Sequence, residues 1–169
     1  MILPFRRRNS HRPRARRVLV PFTRGQLDQA VLDAAIRIAR AEDATLVPAY
    51  LIVTPLEFAL DAPMHQQVTA AMPLLEAVEH ASLKAGVPVD ARIENGRTPI
   101  HALQRLWNAE TFDRIVVPAP PARGPGFTPK DLLWILTHAP GETVVLRPQP
   151  PEHDQTLSKA VSAALARRA

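Results

Sequence analysis

The chain has 169 residues, of which 46% are hydrophobic and 22% charged, proportions that are ordinary for a soluble globular protein of one domain. It contains no cysteine, which excludes disulfides, thiolate nucleophiles and cysteine metal ligands and favours a cytoplasmic location. The net charge of +5 comes from the segment between Arg6 and Arg17, which holds seven arginines and no acid, so the remainder is close to −2. The apolar run that follows this segment has only six residues, too few for a signal peptide or a membrane span.

The arginine-rich segment at the start of the chain, residues 1–16, has two interpretations. Its charge would attract the phosphates of a nucleic acid or an anionic membrane surface, which makes both of them candidate partners for Arg6 to Arg17. No aromatic residues are interleaved with the arginines, so sequence-specific recognition is not indicated. The alternative is a disordered, solubilising leader or a start codon placed too early.

The first half of the chain alternates apolar runs with amphipathic stretches. Arg17–Phe22 predicts a buried strand, residues 26–43 predict a helix, and residues 44–55 predict a second strand, an order that implies a right-handed parallel crossover. The segment from Leu56 to Met72 has no clear period, and it predicts either a lid at the sheet edge or disorder. The apolar face predicted for the first helix consists of Leu27, Val31, Ala34, Ala35 and Ile38.

The second half continues the alternation. Residues 73–86 predict a second helix that begins near Pro73 and ends at Gly86. Two further helices start with the same signal, a threonine cap followed by a proline at the first helical position, at Thr98 and at Thr128. Strands are predicted within residues 87–94, 112–120 and 142–148. This order predicts a doubly wound α/β domain.

The predicted domain organisation has three parts. Residues 1–16 form the basic leader, residues 17–148 the α/β domain, and residues 149–169 a proline-rich linker with a short C-terminal helix. The apolar face of that last helix consists of Leu157, Val161, Ala164 and Leu165.

Three stretches carry a resemblance to a known family: RVLVPFTRGQLDQAVLDAAIRIAR, ENGRTPIHALQRLWNAETFDRIVVPA and WILTHAPGETVVLRP. They contain a Val-Pro step in the first strand, a glycine turn before the third helix, Asp113 before the fourth strand and a His-Ala-Pro helix ending. On these features residues 17–148 resemble the universal stress protein family. The resemblance implies a five-stranded parallel sheet of order 3-2-1-4-5 in an adenine-nucleotide-hydrolase-like three-layer sandwich. It also implies a homodimer formed through the edge strand from Glu142 to Arg147, although the C-terminal helix is an alternative cover for that edge.

The nucleotide-binding motif of the family is altered in this chain. ATP-binding members carry an aspartate after the first strand and Gly-x2-Gly-x9-Gly-Ser/Thr after the fourth. Here Thr23 replaces the aspartate, Gly124 and Gly126 are two rather than three residues apart, and Pro129 and Lys130 replace the final Gly-Ser pair. Because proline lacks an N–H group, the helix start is also a poorer anion site.

The candidate ligand site lies where the loops after the first and fourth strands meet. Arg24, Arg123 and Lys130 would hold phosphate in place of glycine amides. The competing interpretation is that these charges are solvated and that Thr128 is only a helix cap. The candidate site residues are Thr23, Arg24, Gly25, Arg123, Gly124, Gly126, Thr128 and Lys130.

No other chemistry is indicated by the sequence. The histidines lack metal-ligand spacing, no Gly-x-Ser-x-Gly motif is present, and no acidic residue follows the first strand as a phosphoacceptor domain requires. Trp107 and Trp134 occupy apolar helix positions and are predicted to be core or interface anchors. The predicted function is therefore a non-enzymatic stress-response regulator that binds a protein partner or a small ligand and needs no cofactor. The alternatives are an ATP-binding member that uses Arg24, Arg123 and Lys130, and a module that docks through the leader.

Overall fold

The structure, a computed structural model, describes residues 15–23, 27, 29–120 and 126–147. Five parallel strands form one sheet in the order β3-β2-β1-β4-β5, so the strand order expected from the resemblance is confirmed. The leader before residue 15 and the segment after residue 147 lie outside the described residues. In chain order the elements are β1 Arg17–Phe22, α1 Gln29–Ala41, β2 Thr45–Val53, α2 His65–Lys84, β3 Arg92–Gly96, α3 Pro99–Ala109, β4 Arg114–Pro118, α4 Pro129–His138 and β5 Glu142–Leu146.

The sheet is buried between two helical layers, as the nearly continuous apolar runs of β1 and β2 require. Val18 and Val20 of β1 pack into the layer that holds α1 and α2, whereas Leu19 points to the opposite layer of α3 and α4. This alternation is the two-residue period of a strand, and it places a hydrophobic core on each face. The result is the expected three-layer α/β arrangement.

The buried face of α1 differs in part from the predicted one. Val31 and Ala35 are buried as expected, but Ala34 and Ile38 are only half-buried. Leu32 and Ile36 are buried instead. The amphipathic pattern is broad enough to place the apolar stripe on either flank, and packing against the sheet selects the flank.

The second helix begins earlier than predicted. It starts at His65, and Pro73 lies inside it rather than near its first turn. A proline inside a helix removes the hydrogen bond to the carbonyl four residues earlier, here that of Thr69. Both Pro73 and Thr69 are exposed, so water can solvate the free carbonyl and the helix continues. Residues 65–72, the second part of the segment for which a lid or disorder is predicted, are therefore helical.

The other helix boundaries follow the sequence signals closely. Thr98 caps α3 by accepting a hydrogen bond from the His101 N–H, and Thr128 caps α4 in the same way through Asp131. Gly86, which follows the C-cap residue Ala85 of α2, has a positive φ of 74°, the left-handed conformation that favours glycine at a helix end. The predicted starts of α3 and α4 and the predicted end of α2 are confirmed.

A cluster of four charged residues links the amino ends of the strands. Arg17 of β1 donates hydrogen bonds to Glu110 at 2.5 Å and to Asp90 at 2.7 Å. Arg92 of β3 donates to the same two carboxylates, at 2.8 Å to Glu110. The hydrogen bond from Arg92, followed by that from Arg17, lowers the pKa of the Glu110 carboxyl although burial opposes this shift. We call these four residues the amino-edge cluster.

Candidate functional site

The candidate site lies at the opposite edge of the sheet, beyond the carboxyl ends of β1 and β4. These two strands are neighbours, and the chain order reverses between them, which is the switch point where ligands bind in doubly wound sheets. Of the predicted site residues, the structure describes Thr23, Gly126, Thr128 and Lys130. The predicted residues outside the described part of the chain are Arg24, Gly25, Arg123 and Gly124. The convergence of Arg24 and Arg123 with Lys130 therefore stays a prediction.

The start of α4 is closed by its own side chains. The Thr128 hydroxyl accepts a hydrogen bond from the Asp131 N–H at 3.2 Å and donates one to the Asp131 carboxylate at 2.8 Å. The Thr128 N–H donates to the same carboxylate oxygen at 2.8 Å. Pro129 has no N–H to offer. The Asp131 carboxylate therefore already complements the positive end of the helix, and a second anion there would meet its charge.

The described end of the loop before α4 serves packing. Gly126 has a positive φ of 119°, and the next residue, Phe127, is buried in the layer of α3 and α4 beside Ile135. The sequence pattern suggests phosphate binding for Gly126, whereas its conformation here turns the chain so that Phe127 enters the core. Lys130, in the first turn of α4, is exposed to solvent.

The ends of β1 and β2 present threonines at this edge. Thr23 directly follows β1 and is buried, so an uncharged side chain stands where the family's ATP-binding members have a carboxylate. Thr54 directly follows β2 and is 1% exposed, and its hydroxyl has no hydrogen-bond partner among the described residues. Thr54 is absent from the predicted site because a threonine at the end of a strand is a common residue without a motif.

The loop between β2 and α2 is fixed by two side chains from the end of β3. Arg97 donates through Nη1 to the carbonyl oxygens of Thr54 at 3.2 Å, Pro55 at 2.5 Å and Phe58 at 3.0 Å. Asn95 donates through Nδ2 to two further carbonyls of this loop, each at 3.3 Å. No sequence signal identifies either residue, because the contacts join positions about forty residues apart. The loop is thus a built part of this edge, which does not support its interpretation as a lid.

This fixed loop exposes an apolar surface. Leu56 is 85% exposed, and Phe58 and Val53 are about half exposed. Beside them is an open cavity of about 370 Å³. Its lining residues are Pro55, Phe58, Ala62, Pro63, Met64, His65, Gln66 and Gln67. We call Val53, Leu56, Phe58 and this cavity the Phe58 surface.

Three aromatic rings stack on the outer side of α3 and α4. The rings of Trp107 and Trp134 lie 5.3 Å apart, and those of Trp134 and His138 lie 4.5 Å apart, each pair within 13° of parallel. The His138 ring also hydrogen-bonds the Trp134 carbonyl through Nδ1 at 2.9 Å. The tryptophans pack against the core of this layer, as predicted for core anchors.

The described residues offer no sign of two other classes of site. Within residues 15–23, 27, 29–120 and 126–147, no group of three or more histidine, aspartate or glutamate side chains is placed to hold a metal ion. In the same part of the chain, no helix has the length and apolar character needed to cross a membrane.

The sequence model of the universal stress protein family matches residues 14–126, which is most of the chain. The chain belongs to the universal stress protein family. No match is found among curated proteins. The family model extends from just before β1 to Gly126, so it includes the loop after β1 and most of the loop after β4, whereas Thr128 and Lys130 lie beyond it.

Solved universal stress proteins share the fold at low sequence identity. The protein UspA from Lactobacillus plantarum is 20% identical with a TM-score of 0.64, and the match covers 79% of this chain and 99% of that one. A universal stress protein in complex with cAMP is 19% identical, with a TM-score of 0.57 and coverage of 78% and 96%. A family protein from Arabidopsis thaliana with AMP bound is 16% identical, with a TM-score of 0.56 and coverage of 79% and 92%.

Proposed function

We propose that this universal stress protein is a non-enzymatic regulator that binds a small ligand or a protein partner at the carboxyl edge of its sheet. We propose further that the start of α4 does not bind phosphate groups of that ligand. The observation that carries the proposal is the closed start of α4, where Asp131 and Thr128 satisfy each other. In nucleotide-binding folds of this type, the open start of a helix holds the phosphates. With a carboxylate in that place, phosphate groups add little to affinity.

The side chains at the edge also support binding rather than turnover. The buried hydroxyl of Thr54 has no histidine or carboxylate as a hydrogen-bond partner among the residues that the structure describes. A hydroxyl needs a neighbouring base to become a nucleophile. Because Thr54 is 1% exposed, its hydroxyl is also closed to a substrate, and it supplies no nucleophile at this edge.

The ligand class that we propose is a purine nucleoside or a nucleoside monophosphate. Two family members with this fold have been solved with cAMP and with AMP. Both ligands carry a single phosphate, so most of their contact area is the nucleoside, and such a ligand does not depend on the start of α4.

Calorimetric titration with adenosine, AMP, cAMP and ATP with Mg²⁺ tests this proposal. We expect ATP to bind no more tightly than AMP, within about threefold or 0.6 kcal/mol. The variant Asp131→Asn, which keeps an acceptor oxygen for the cap and removes the charge, is expected to raise ATP affinity several-fold.

The competing function is ATP binding through Arg24, Arg123 and Lys130. It predicts ATP binding at least tenfold tighter than AMP binding, and several-fold weaker binding in Arg123→Ala and Lys130→Ala. The matched control is Arg105→Ala, because Arg105 pairs with Glu94 on α3 and β3, away from both loops. If none of the four ligands binds the folded protein, the small-ligand part of the proposal is wrong. The remaining proposal is then that the protein binds a protein partner.

We also propose that two copies pair through β5. In the described chain this strand pairs only with β4, and its other edge is open. Val145 lies opposite Val117, whose side chain packs under α3 and α4, so Val145 faces the same side as α4. On that side Leu133 is 67% exposed and Leu136 is 53% exposed. An open edge beside exposed apolar side chains favours a self-complementary, two-fold contact.

A further inference from the structure

The Phe58 surface is an apolar patch that its own loop does not cover. A mobile loop could bury Leu56 and Phe58 by folding inward, but Arg97 holds the carbonyls of Pro55 and Phe58. The patch therefore stays exposed unless another segment packs on it. Large exposed apolar side chains beside a cavity are typical of a docking site.

The chain itself offers an occupant at the same edge of the sheet. β5 ends at Leu146, and because all five strands are parallel, this end lies at the edge where β2 ends and the Phe58 surface begins. Residues 148–169 continue from there. The leader, by contrast, joins β1 at its amino end, at the opposite edge.

The distance is within reach of the segment that follows β5. In the order β3-β2-β1-β4-β5 the strands β5 and β2 are three spacings apart, or about 14 Å. Residues 148–156 precede the apolar pattern that begins at Leu157, and three of the first four are proline. Nine residues in an extended polyproline conformation span about 28 Å. The linker is therefore long enough to bring residues 157–169 to the Phe58 surface.

The two partners also match in charge and apolar character. Residues 157–169 carry Lys159, Arg167 and Arg168 and no acidic residue. Residues 53–64 carry Glu57 and Asp61 and no basic residue, so this surface keeps a net charge of −1 when the adjoining Arg97 is included (−2 + 1). The exposed face of α4 and β5, the other apolar surface near the chain end, carries Asp131 and Glu142 as well as Lys130 and Arg147, so its charges balance. Charge complementarity thus favours the Phe58 surface over the face of α4 and β5.

We propose that residues 157–169 dock on the Phe58 surface of their own chain, with Leu157, Val161 and Leu165 against Leu56 and Phe58. Because the ends of β4 and β1 lie between β5 and β2, a segment docked in this way would pass over the candidate ligand site. If the proposed ligand binding is correct, a docked segment competes with the ligand. That consequence rests on the proposed function, whereas the docking itself does not.

The absence of cysteine from the chain allows a direct test by disulfide cross-linking of the full-length protein. The test pair is Leu56→Cys with Val161→Cys. The matched pairs are Leu136→Cys with Val161→Cys, which reports docking on α4 and β5, and Leu56→Cys with Leu3→Cys, which reports docking of the leader. All three cysteine pairs replace apolar residues that are exposed or lie near a chain end, so the pairs are comparable. We expect the test pair to form an intramolecular disulfide at least tenfold faster than either matched pair, at a rate independent of protein concentration.

Each other outcome overturns the proposal. Faster closure of the pair at position 136 would place the segment on α4 and β5, and faster closure of the pair at position 3 would identify the leader as the occupant. A covalent dimer would mean that the segment docks on a second copy. Equal, slow rates for all three pairs would mean that no segment occupies the Phe58 surface. Circular dichroism of each reduced variant confirms that it is folded.

A second measurement separates this inference from the proposed function. The full-length variant Val161→Asp is titrated with AMP alongside the unmodified chain. We expect the variant to bind several-fold more tightly, because a carboxylate in place of Val161 disrupts the apolar contact of the competing segment. If neither chain binds AMP but the test pair closes, the ligand proposal is wrong and the docking stands. If both chains bind AMP equally and the test pair stays open, the docking is wrong and the ligand proposal stands.

Discussion

The Arg97 guanidinium donates a hydrogen bond to the Phe58 carbonyl at 3.0 Å, across 39 positions of the sequence. The same nitrogen also reaches the carbonyls of Thr54 and Pro55. Backbone carbonyls in a loop normally rely on water, whereas here one guanidinium donates to three of them. This contact makes the loop after β2 a rigid support for Leu56 and Phe58.

Replacing Arg97 with alanine is expected to loosen this loop without unfolding the domain. The side chain is half-buried and its partners lie within one loop, so global stability should fall by about 1–2 kcal/mol. Hydrogen exchange followed by mass spectrometry should show faster exchange in residues 54–64 and unchanged exchange in β1 and β4. Arg105→Ala is the control and should leave the loop unchanged. Unaltered exchange in Arg97→Ala would contradict the proposed role of Arg97.

Gly96→Ala is expected to be strongly destabilising. A Cβ at Gly96 would lie 2.2 Å from the backbone nitrogen of Ala102, so the start of α3 would have to move away from β3. Overpacking of this kind against backbone costs about 3 kcal/mol. Urea denaturation measures the loss.

Gly86→Ala provides the contrast for that experiment. At Gly86 a Cβ meets nothing within 4 Å, and only the positive φ opposes it. The expected loss is about 1 kcal/mol. Equal losses at the two positions would mean that close packing is not the reason for glycine at position 96.

The amino-edge cluster should make stability depend on pH. Arg92 and Arg17 lower the pKa of Glu110 in the folded protein from its ordinary value. The ionised Glu110 therefore adds to the free energy of unfolding at pH values above its ordinary pKa. This stabilisation is lost as the pH falls through the lower pKa of the folded state. Glu110→Gln is expected to lower the free energy of unfolding by about 1 kcal/mol at pH 7. The difference from the unmodified protein should vanish at strongly acidic pH.

Glu142→Gln is the matched control for that measurement. Glu142 also pairs with an arginine, Arg114, but its side chain is 64% exposed. Exposed ion pairs contribute about 0.5 kcal/mol or less. A pH-independent effect of Glu110→Gln would show that packing, rather than charge, explains the role of Glu110.

Val145→Glu tests the proposed pairing through β5. A carboxylate placed on the open edge would be opposed by the same charge on a second copy, so the pairing should weaken by at least tenfold. Sedimentation equilibrium measures the association. Val53→Glu, at another exposed apolar position at the end of a strand, should leave the association unchanged. A monomer at all concentrations in the unmodified protein would overturn the pairing itself.

Much of the fold follows from local patterns in the sequence. β1 is a continuous apolar run and is observed at its predicted bounds, and the threonine caps at Thr98 and Thr128 mark helices that begin where expected. These signals succeed because a cap or a buried strand involves neighbouring residues only. The start of α2 differs from the prediction because Pro73 is a typical helix-start residue, and only its exposed position explains why it is tolerated within a helix.

Some features of the candidate site could likewise be predicted from local sequence signals, and others could not. The altered glycine motif and the proline after Thr128 are visible in the sequence, and they are enough to indicate a weakened phosphate site. The pairing of Thr128 with Asp131 supports the same hypothesis, and its spacing of three residues is a local signal. A glycine near a helix start suggests phosphate binding, which is why Gly126 belongs to the predicted site, and that role stays a prediction. The structure adds that the turn at Gly126 precedes the buried Phe127.

By itself, the sequence determined the strand and helix order, most of the helix starts and the loss of the glycine pattern, because each depends on periodicity or on residues a few positions apart. Only the tertiary structure decided which flank of α1 is buried, why Gly96 has no room for a side chain, and that Arg97 and Asn95 hold the loop after β2. Those features arise from contacts between distant parts of the chain. Such contacts exist only after the sheet has brought the strand ends together, so no local pattern encodes them.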